Sequence, residues 1–226
     1  GYFMSNNNYT VVIPAFNAEK YIAECLQSVL SQTTPPQQII VVDDGSVDAT
    51  AQIARNSSSI VKVISTPNRG AGAATTTGVD AVQTDIVAFV DSDDVWLPKK
   101  MEIQLASLND SALVCDAVTS RMRAFGDIHL KNINEKYSGW SRSTLAIWMD
   151  AYHRVGEVRD LGHGYGEMID WFSRAKHAGL NIKLVDEALA LRRIHSESVS
   201  FKANAGQAQD YLRAAVLAFQ RKKQLN

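Results

Sequence analysis

The sequence is poor in cysteine, in proline and in unbroken apolar stretches, and its charges almost cancel. Its 226 residues include two cysteines, Cys25 and Cys115, both inside apolar patterns. Two such thiols do not make the disulfide framework of a small secreted fold, so a reducing compartment is expected. No stretch approaches the roughly 18 consecutive apolar residues that cross a bilayer, and the N-terminus lacks a charged-then-apolar leader pattern. These absences point to a cytoplasmic protein, with at most a peripheral contact at the inner face of a membrane. Lys and Arg number 23 against 24 Asp and Glu, a formal net charge of −1. With no basic stripe either, nucleic acid is not an expected partner. The cluster Arg221, Lys222 and Lys223 reads as a solvated helix tail or as a weak contact with anionic lipid. Oligomeric state leaves no mark in the sequence.

What is present is an apolar content of 46%, enough for one substantial core in a chain of this length. Residues 1–8, GYFMSNNN, look partly like a cloning remnant before Met4 and are set aside. Tyr9 to Phe16, Gln38 to Val42, Ile60 to Ile64 and Ile86 to Val90 are short Val- and Ile-rich runs, and three of the four stop at Asn or Asp. They read as strands. Between them Tyr21, Ile22, Cys25, Leu26, Val29 and Leu30 fall on one helical face, closed by Pro35-Pro36. A second helix, capped by Ser46 or Asp48, runs through Ile53, and Gly70 to Val82 supplies a third. Alternating strands and helices predict right-handed βαβ units and a mostly parallel sheet buried on both faces. Such sheets bind ligands at the carboxyl ends of their strands. Beyond Asp94 the pattern predicts a helix over Lys99 to Leu108, a strand over Ala112 to Thr119 and a loop or lid over Arg121 to Ser143. A strand over Thr144 to Met149, a helix over Gly166 to His177, a strand over Ile182 to Ile194 and a terminal helix over Gln207 to Lys223 complete it.

Two acidic strand ends stand out. Asp43-Asp44-Gly45-Ser46 ends one apolar run; its carboxylates can accept from a base N–H or a ribose hydroxyl, or simply form a helix-capping turn. Asp91-Ser92-Asp93-Asp94 ends another. Carboxylates two apart on an extended segment share a face, and Mg²⁺ binds through one or two carboxylates while substrate phosphates fill other positions. The alternative is a plain acidic surface turn.

Val12-Ile13-Pro14-Ala15-Phe16-Asn17-Ala18-Glu19-Lys20-Tyr21-Ile22, Ser28-Val29-Leu30-Ser31-Gln32-Thr33, Val41-Val42-Asp43-Asp44-Gly45-Ser46-Val47-Asp48-Ala49-Thr50, Asn68-Arg69-Gly70 and Asp91-Ser92-Asp93-Asp94 occur in this order. Together they closely resemble the family 2 glycosyltransferases, strongly over about residues 9 to 110 and loosely beyond. The resemblance implies a GT-A fold: a mostly parallel nucleotide-binding sheet flanked by helices, with a smaller mixed acceptor-side region. It implies one domain over 9–226, with a nucleotide-sugar half (9–110), an acceptor half (111–205) and a C-terminal helix (206–226). It further implies a nucleotide-diphosphate sugar donor, UDP-linked by preference, a Mn²⁺ or Mg²⁺ ion, inversion at the anomeric carbon, and a saccharide or lipid-linked acceptor. By position, Pro14, Ala15, Phe16 and Asn17 would line the base pocket, Asp44 would bond the base and Asp43 would support the nucleoside. Asn68, Arg69, Gly70 and Ser92 belong to the donor loops, although Arg69 can equally be a solvated cation. Asp91 would hold the ribose or the metal, and Asp93 and His195 would ligate the metal. Arg192 or Arg193 would offset diphosphate charge.

The chain also departs from that pattern. Ala74-Thr75-Thr76-Thr77-Gly78 stands where Ala-Arg-Asn usually precedes a Gly, and neutral threonine does not replace arginine beside phosphate. Gly166-Glu167-Met168-Ile169-Asp170-Trp171 resembles the acceptor-side helix, but Met168 takes the place of the usual base Asp. Glu167 and Asp170, three apart on one helix face, are the candidate bases, and Asp170 can instead pair with Arg174 at i+4. His195 can be structural, and Trp140 and Trp171 either stack on an acceptor or pack in the core. Two rivals remain: a degenerate nucleotide-sugar binder, and a dinucleotide-binding oxidoreductase suggested by Gly70-Ala71-Gly72-Ala73-Ala74-Thr75 with Asp91 about 20 residues on.

Overall fold

A computed structural model describes residues 6–126, 136, 139–161 and 166–195. Its chain order begins β1 (Tyr9–Ala15), α1 (Ile22–Leu30), β2 (Gln38–Asp43), α2 (Thr50–Arg55), β3 (Val61–Ser65), α3 (Ala71–Asp80) and β4 (Ile86–Phe89). It continues with β5 (Val95–Trp96), α4 (Lys100–Leu108), β6 (Ala117–Gly126), β7 (Ala146–Trp148), α5 (Met149–Val155), α6 (Glu167–His177) and β8 (Ile182–Ile194). A short 3-10 turn, Arg142–Thr144, precedes β7.

The strands form one eight-stranded sheet ordered β3-β2-β1-β4-β7-β6-β8-β5. Its first four members are parallel, β7 turns antiparallel between β4 and β6, and β8 runs parallel to β6 and antiparallel to β5. Side chains of β1 and β2 alternate between two cores. Val11, Ile13, Ile39 and Val41 pack with α1 and α4, while Val12, Ile40 and Val42 pack with α3, α5 and α6. Burial on both faces is why these strands read as continuous apolar runs.

Helix α3 lies close on the sheet because Gly78 has no side chain. A Cβ there would stand 2.4 Å from Val12 Cγ1 and 3.1 Å from Val42 Cγ2. Helix propensity favours alanine over glycine by about 1 kcal/mol, but overlap with two stiff β-branched walls costs about 1–3 kcal/mol. Gly78→Ala is therefore expected to lower the midpoint of urea unfolding with the m-value unchanged.

Four expectations change. The strand placed over Ala112 to Thr119 is β6, beginning at Ala117 and running to Gly126, so the first six residues of the expected Arg121 to Ser143 loop are sheet. Met122 there is 1% exposed between outward arginines. The strand over Thr144 to Met149 is only Ala146–Trp148, followed at once by α5. Two-residue β5 was not anticipated. Asn6, set aside with the N-terminal residues, bonds to Asn109 and Asp85. The terminal helix over Gln207 to Lys223, Arg221 to Lys223 with it, lies outside the described residues. Among the described residues no helix is long and apolar enough to cross a membrane.

Candidate active site

The carboxyl ends of β2, β1 and β4 lie side by side, with β1 between the other two, so the two acidic strand ends open on one edge. Pro14 and Ala15 are buried where β1 ends, whereas Phe16 is 50% exposed. Asn17 takes a left-handed φ of 47°; its N–H donates to Ser46 Oγ at 2.9 Å, and its Oδ1 accepts from the Val47 N–H at 3.0 Å. Asp43 Oδ1 accepts from the Ser46 N–H. The loop after β1 is thereby tied to the turn after β2. Gly45, at φ +80°, lets that turn pass the Asn68 N–H, which a Cβ would meet at 2.8 Å.

Asp44 is 3% exposed, and its two oxygens accept from the backbone N–H groups of Arg69 and Gly70, each at 2.8 Å. Its carboxylate thus clamps the loop leading into α3. Arg69 is exposed and touches Thr77 Oγ1. Gly70 ends this loop with φ +94°.

At the end of β4, Ser143 acts as a pivot. Its hydroxyl accepts from the Asp91 N–H at 3.0 Å and donates to Asp94 Oδ2 at 2.6 Å; Asp94 Oδ1 accepts from the Arg193 N–H. Asp94 is thus held inside the loop, while Asp91, Ser92 and Asp93 are only half-buried. Burial, then the charges of Asp93 and Asp91, push the Asp94 carboxyl well up. Asp93 moves up for the same first reason and by repulsion from Asp91, opposed by His195. Asp93 Oδ2 lies 2.9 Å from His195 Nε2. Arg193 donates through Nε to the Asp93 carbonyl and pairs with Glu24 of α1. Its guanidinium lies 4.9 Å from the Tyr21 ring centroid and 4.4 Å from that of Phe125. These contacts make Arg193 a brace of the acidic loop.

The acceptor-side helix reaches this group through Arg142. That guanidinium donates by Nε to Asp91 Oδ1 at 2.7 Å, and by Nη1 to Glu167 Oε1 at 3.0 Å and Thr75 Oγ1 at 2.9 Å. Burial disfavours its charge, but Asp91 and Glu167 more than offset this, and its pKa is raised. Glu167, 5% exposed, is pushed up by burial, with Arg142 opposing and Asp91 adding.

Asp170 is not brought to this group. It is fully buried and pairs with Arg174 Nε at 2.9 Å, and Arg174 donates onward to the carbonyls of Val155 and Glu157. The i,i+4 pair is therefore an internal brace at the end of α5. Breaking a buried pair strands the remaining charge at a cost of about 3–5 kcal/mol, so Asp170→Asn is expected to lower the unfolding midpoint more than Gly78→Ala does. Trp171, likewise, is core, 0% exposed, with Nε1 donating to the Gly156 carbonyl. Trp140 is 37% exposed, set edge-on to Phe172 under Lys176.

Arg142, Ser143 and Glu24 were not singled out in the sequence. No periodic signal marks the 3-10 turn, and an arginine amid polar residues looks like any loop cation. Gly70 to Thr75 opens α3, after the third strand, and a Cβ on Gly72 would meet Glu167 Oε2 at 3.1 Å. That stretch carries a helix against a carboxylate, and the dinucleotide reading is displaced by the family assignment below.

The pattern of Glycosyl transferase family 2 matches residues 10–158. The chain is 30% identical over 207 residues to a chondroitin synthase of Escherichia coli, covering 85% of this chain and 30% of that protein. It is 28% identical over 207 residues to a hyaluronan synthase of Pasteurella multocida, covering 85% and 21%. The chain thus spans less than a third of the length of these two relatives. A solved structure of Staphylococcus aureus TarS 1-349 in complex with UDP-GlcNAc superposes with a TM-score of 0.68 at 22% identity, over 95% of this chain and 66% of that one. The acidic strand ends, the mixed sheet and the matched family pattern agree, and the chain belongs to glycosyl transferase family 2, with the GT-A fold.

Proposed function

We propose that this chain moves a sugar from a UDP-linked donor to a hydroxyl of a saccharide or lipid-linked acceptor, with inversion and with the help of Mn²⁺ or Mg²⁺. One observation carries the reading: Arg142 joins Asp91, on the donor edge, to Glu167, on the acceptor-side helix. The TarS structures with UDP and UDP-GlcNAc support the donor class. Relatives named for chondroitin and hyaluronan synthesis support a role in polysaccharide assembly.

Among the described residues no three His, Cys, Asp or Glu side chains form a metal cage. A cation that also binds a diphosphate needs fewer protein ligands, since phosphate oxygens and water complete its shell. Asp93 and His195 fit that part. Their 2.9 Å spacing is close to the roughly 3 Å between adjacent ligands of an octahedral ion with bonds of about 2.1 Å. Imidazole suits Mn²⁺. The ion would neutralise the diphosphate as its bond to the sugar breaks. Asp91 is committed through Oδ1 to Arg142, so its part is to orient that cation and the ribose edge.

Pro14 to Asn17, with Asp43, frame the base, and Asp44 holds the wall opposite. Glu167 accepts the proton of the acceptor hydroxyl while that oxygen attacks the anomeric carbon from the face opposite the diphosphate. The new C–O bond forms as the old one breaks, and its electron pair leaves on the β-phosphate oxygen. A second reading is favoured by Met168, half-buried where the base Asp usually stands: a nucleotide-sugar binder without turnover.

Purified protein with Mn²⁺ and each nucleotide sugar, followed by nucleotide release, decides between them. Slow metal-dependent release from one UDP-sugar is expected. Stabilisation by donor and metal with no release would establish the binder.

A further inference from the structure

The guanidinium of Arg142 is enclosed by groups from three parts of the chain. Asp91 lies at the end of β4, Glu167 in the first turn of α6 and Thr75 in α3, while Arg142 itself enters from the 3-10 turn before β7. Arg142 and Glu167 each have side-chain exposures of 7%. Glu167, buried this far from water beside half-buried Asp91, requires a cation next to it. Which stretch of backbone delivers it is a separate question.

Helix α3 bears on that question. Gly72 and Thr75, three apart and so on one face, line the floor beneath the pair: Gly72 faces Glu167 Oε2, and Thr75 Oγ1 touches Arg142 Nη1. The Thr75 hydroxyl also donates to the Ala71 carbonyl at 2.7 Å, one turn back. It is 1% exposed and ends where the guanidinium begins. A longer side chain at 75 would enter the volume that guanidinium fills. Threonine there leaves the space that Arg142 takes.

Resting on the reading of Glu167 as the base, we propose that Arg142 is a positioning residue that holds Asp91 and Glu167 in one unit from the 3-10 turn, in a space that an arginine at position 75 of α3 would fill in exchange. The placement has a mechanical consequence. The turn that supplies Arg142 also supplies Ser143, which holds Asp91 and Asp94, so the donor loop and the base move together. A cation delivered by α3 would share no backbone with that pivot.

Four proteins test this: wild type, R142A, T75R and the double variant R142A/T75R. Each is measured by urea unfolding without ligand and by nucleotide release from the UDP-sugar that the wild type turns over with Mn²⁺. R142A is expected to lower kcat by about 100-fold or more while donor KM changes less than about threefold, the split expected of lost orientation and not of lost binding. T75R alone is expected to lower the unfolding midpoint, because two guanidinium groups compete for one place. The double variant is expected to unfold at higher urea than either single variant and to regain at least about tenfold in kcat over R142A. Should R142A fail to fold, recovery of soluble protein in the double variant is the same positive result. Additive losses, or a double variant as insoluble as the worse single one, would overturn the exchange. Additive midpoints in an active enzyme would refute the exchange and leave the transferase standing. Coupled midpoints without release from any donor would leave the exchange standing and refute the transferase.

Discussion

Replacing Glu167 by Gln is expected to reduce transfer by about a thousandfold, within the range of 10² to 10⁴ that a positioned general base contributes. Glutamine keeps the shape and an acceptor oxygen for Arg142, so the fold and the affinity for UDP with Mn²⁺ should stay close to wild type. The pH profile gives a second signature. The base must be ionised, so kcat/KM falls as pH drops through its pKa in the free enzyme. Burial raises that pKa above the ordinary glutamate value of 4.5, with Arg142 opposing. The acid limb of the wild type is therefore expected above pH 4.5, and should vanish in Glu167→Gln. Full activity in this variant would hand the proton to another group and remove Glu167 from the reaction.

Asp93→Asn is the second large effect. Asp93 is crowded by Asp91, and burial already disfavours its charge; without a cation its ionised form is a liability at this strand end. A metal-bound diphosphate would turn that liability into binding. The variant is expected to lose roughly 100- to 1,000-fold in affinity for UDP with Mn²⁺, the loss of one charged ligand from a site that has few. Its unfolding midpoint without ligand is expected to match or exceed the wild type, since a repulsive charge is gone and asparagine still accepts from His195. The rise in midpoint that UDP with Mn²⁺ gives the wild type should shrink in parallel. A variant that unfolds earlier yet binds UDP with Mn²⁺ as tightly would make Asp93 a structural residue.

The donor half was legible because physics writes it locally. Parallel strands buried on both faces appear as runs such as Ile39 to Val42, and their ends appear as acids because no further apolar residue is needed there. The acceptor half is written at long range. Arg142 meets Asp91 across 51 positions and Thr75 across 67, a convergence to which no window of sequence is sensitive. The pattern shows β6 only as far as Thr119 because Arg121 and Arg123 flank Met122 in an alternation too brief to stand out beside Gly126. Helix α5 was missed because the apolar run Leu145 to Met149 passes from strand to helix without a break. Asp170 and Glu167 looked alike at three residues' spacing. They separate only through what each touches, Arg174 and the end of α5 for one, Arg142 and Asp91 for the other.

The most direct test of the donor site is anomalous diffraction at the manganese edge from crystals soaked with UDP and Mn²⁺. A peak between Asp93 and His195, in contact with the UDP diphosphate and on the same strand edge as Asp43 and Asp44, is the expected result. Bound UDP without a peak at that position, or a peak elsewhere in the fold, would contradict it.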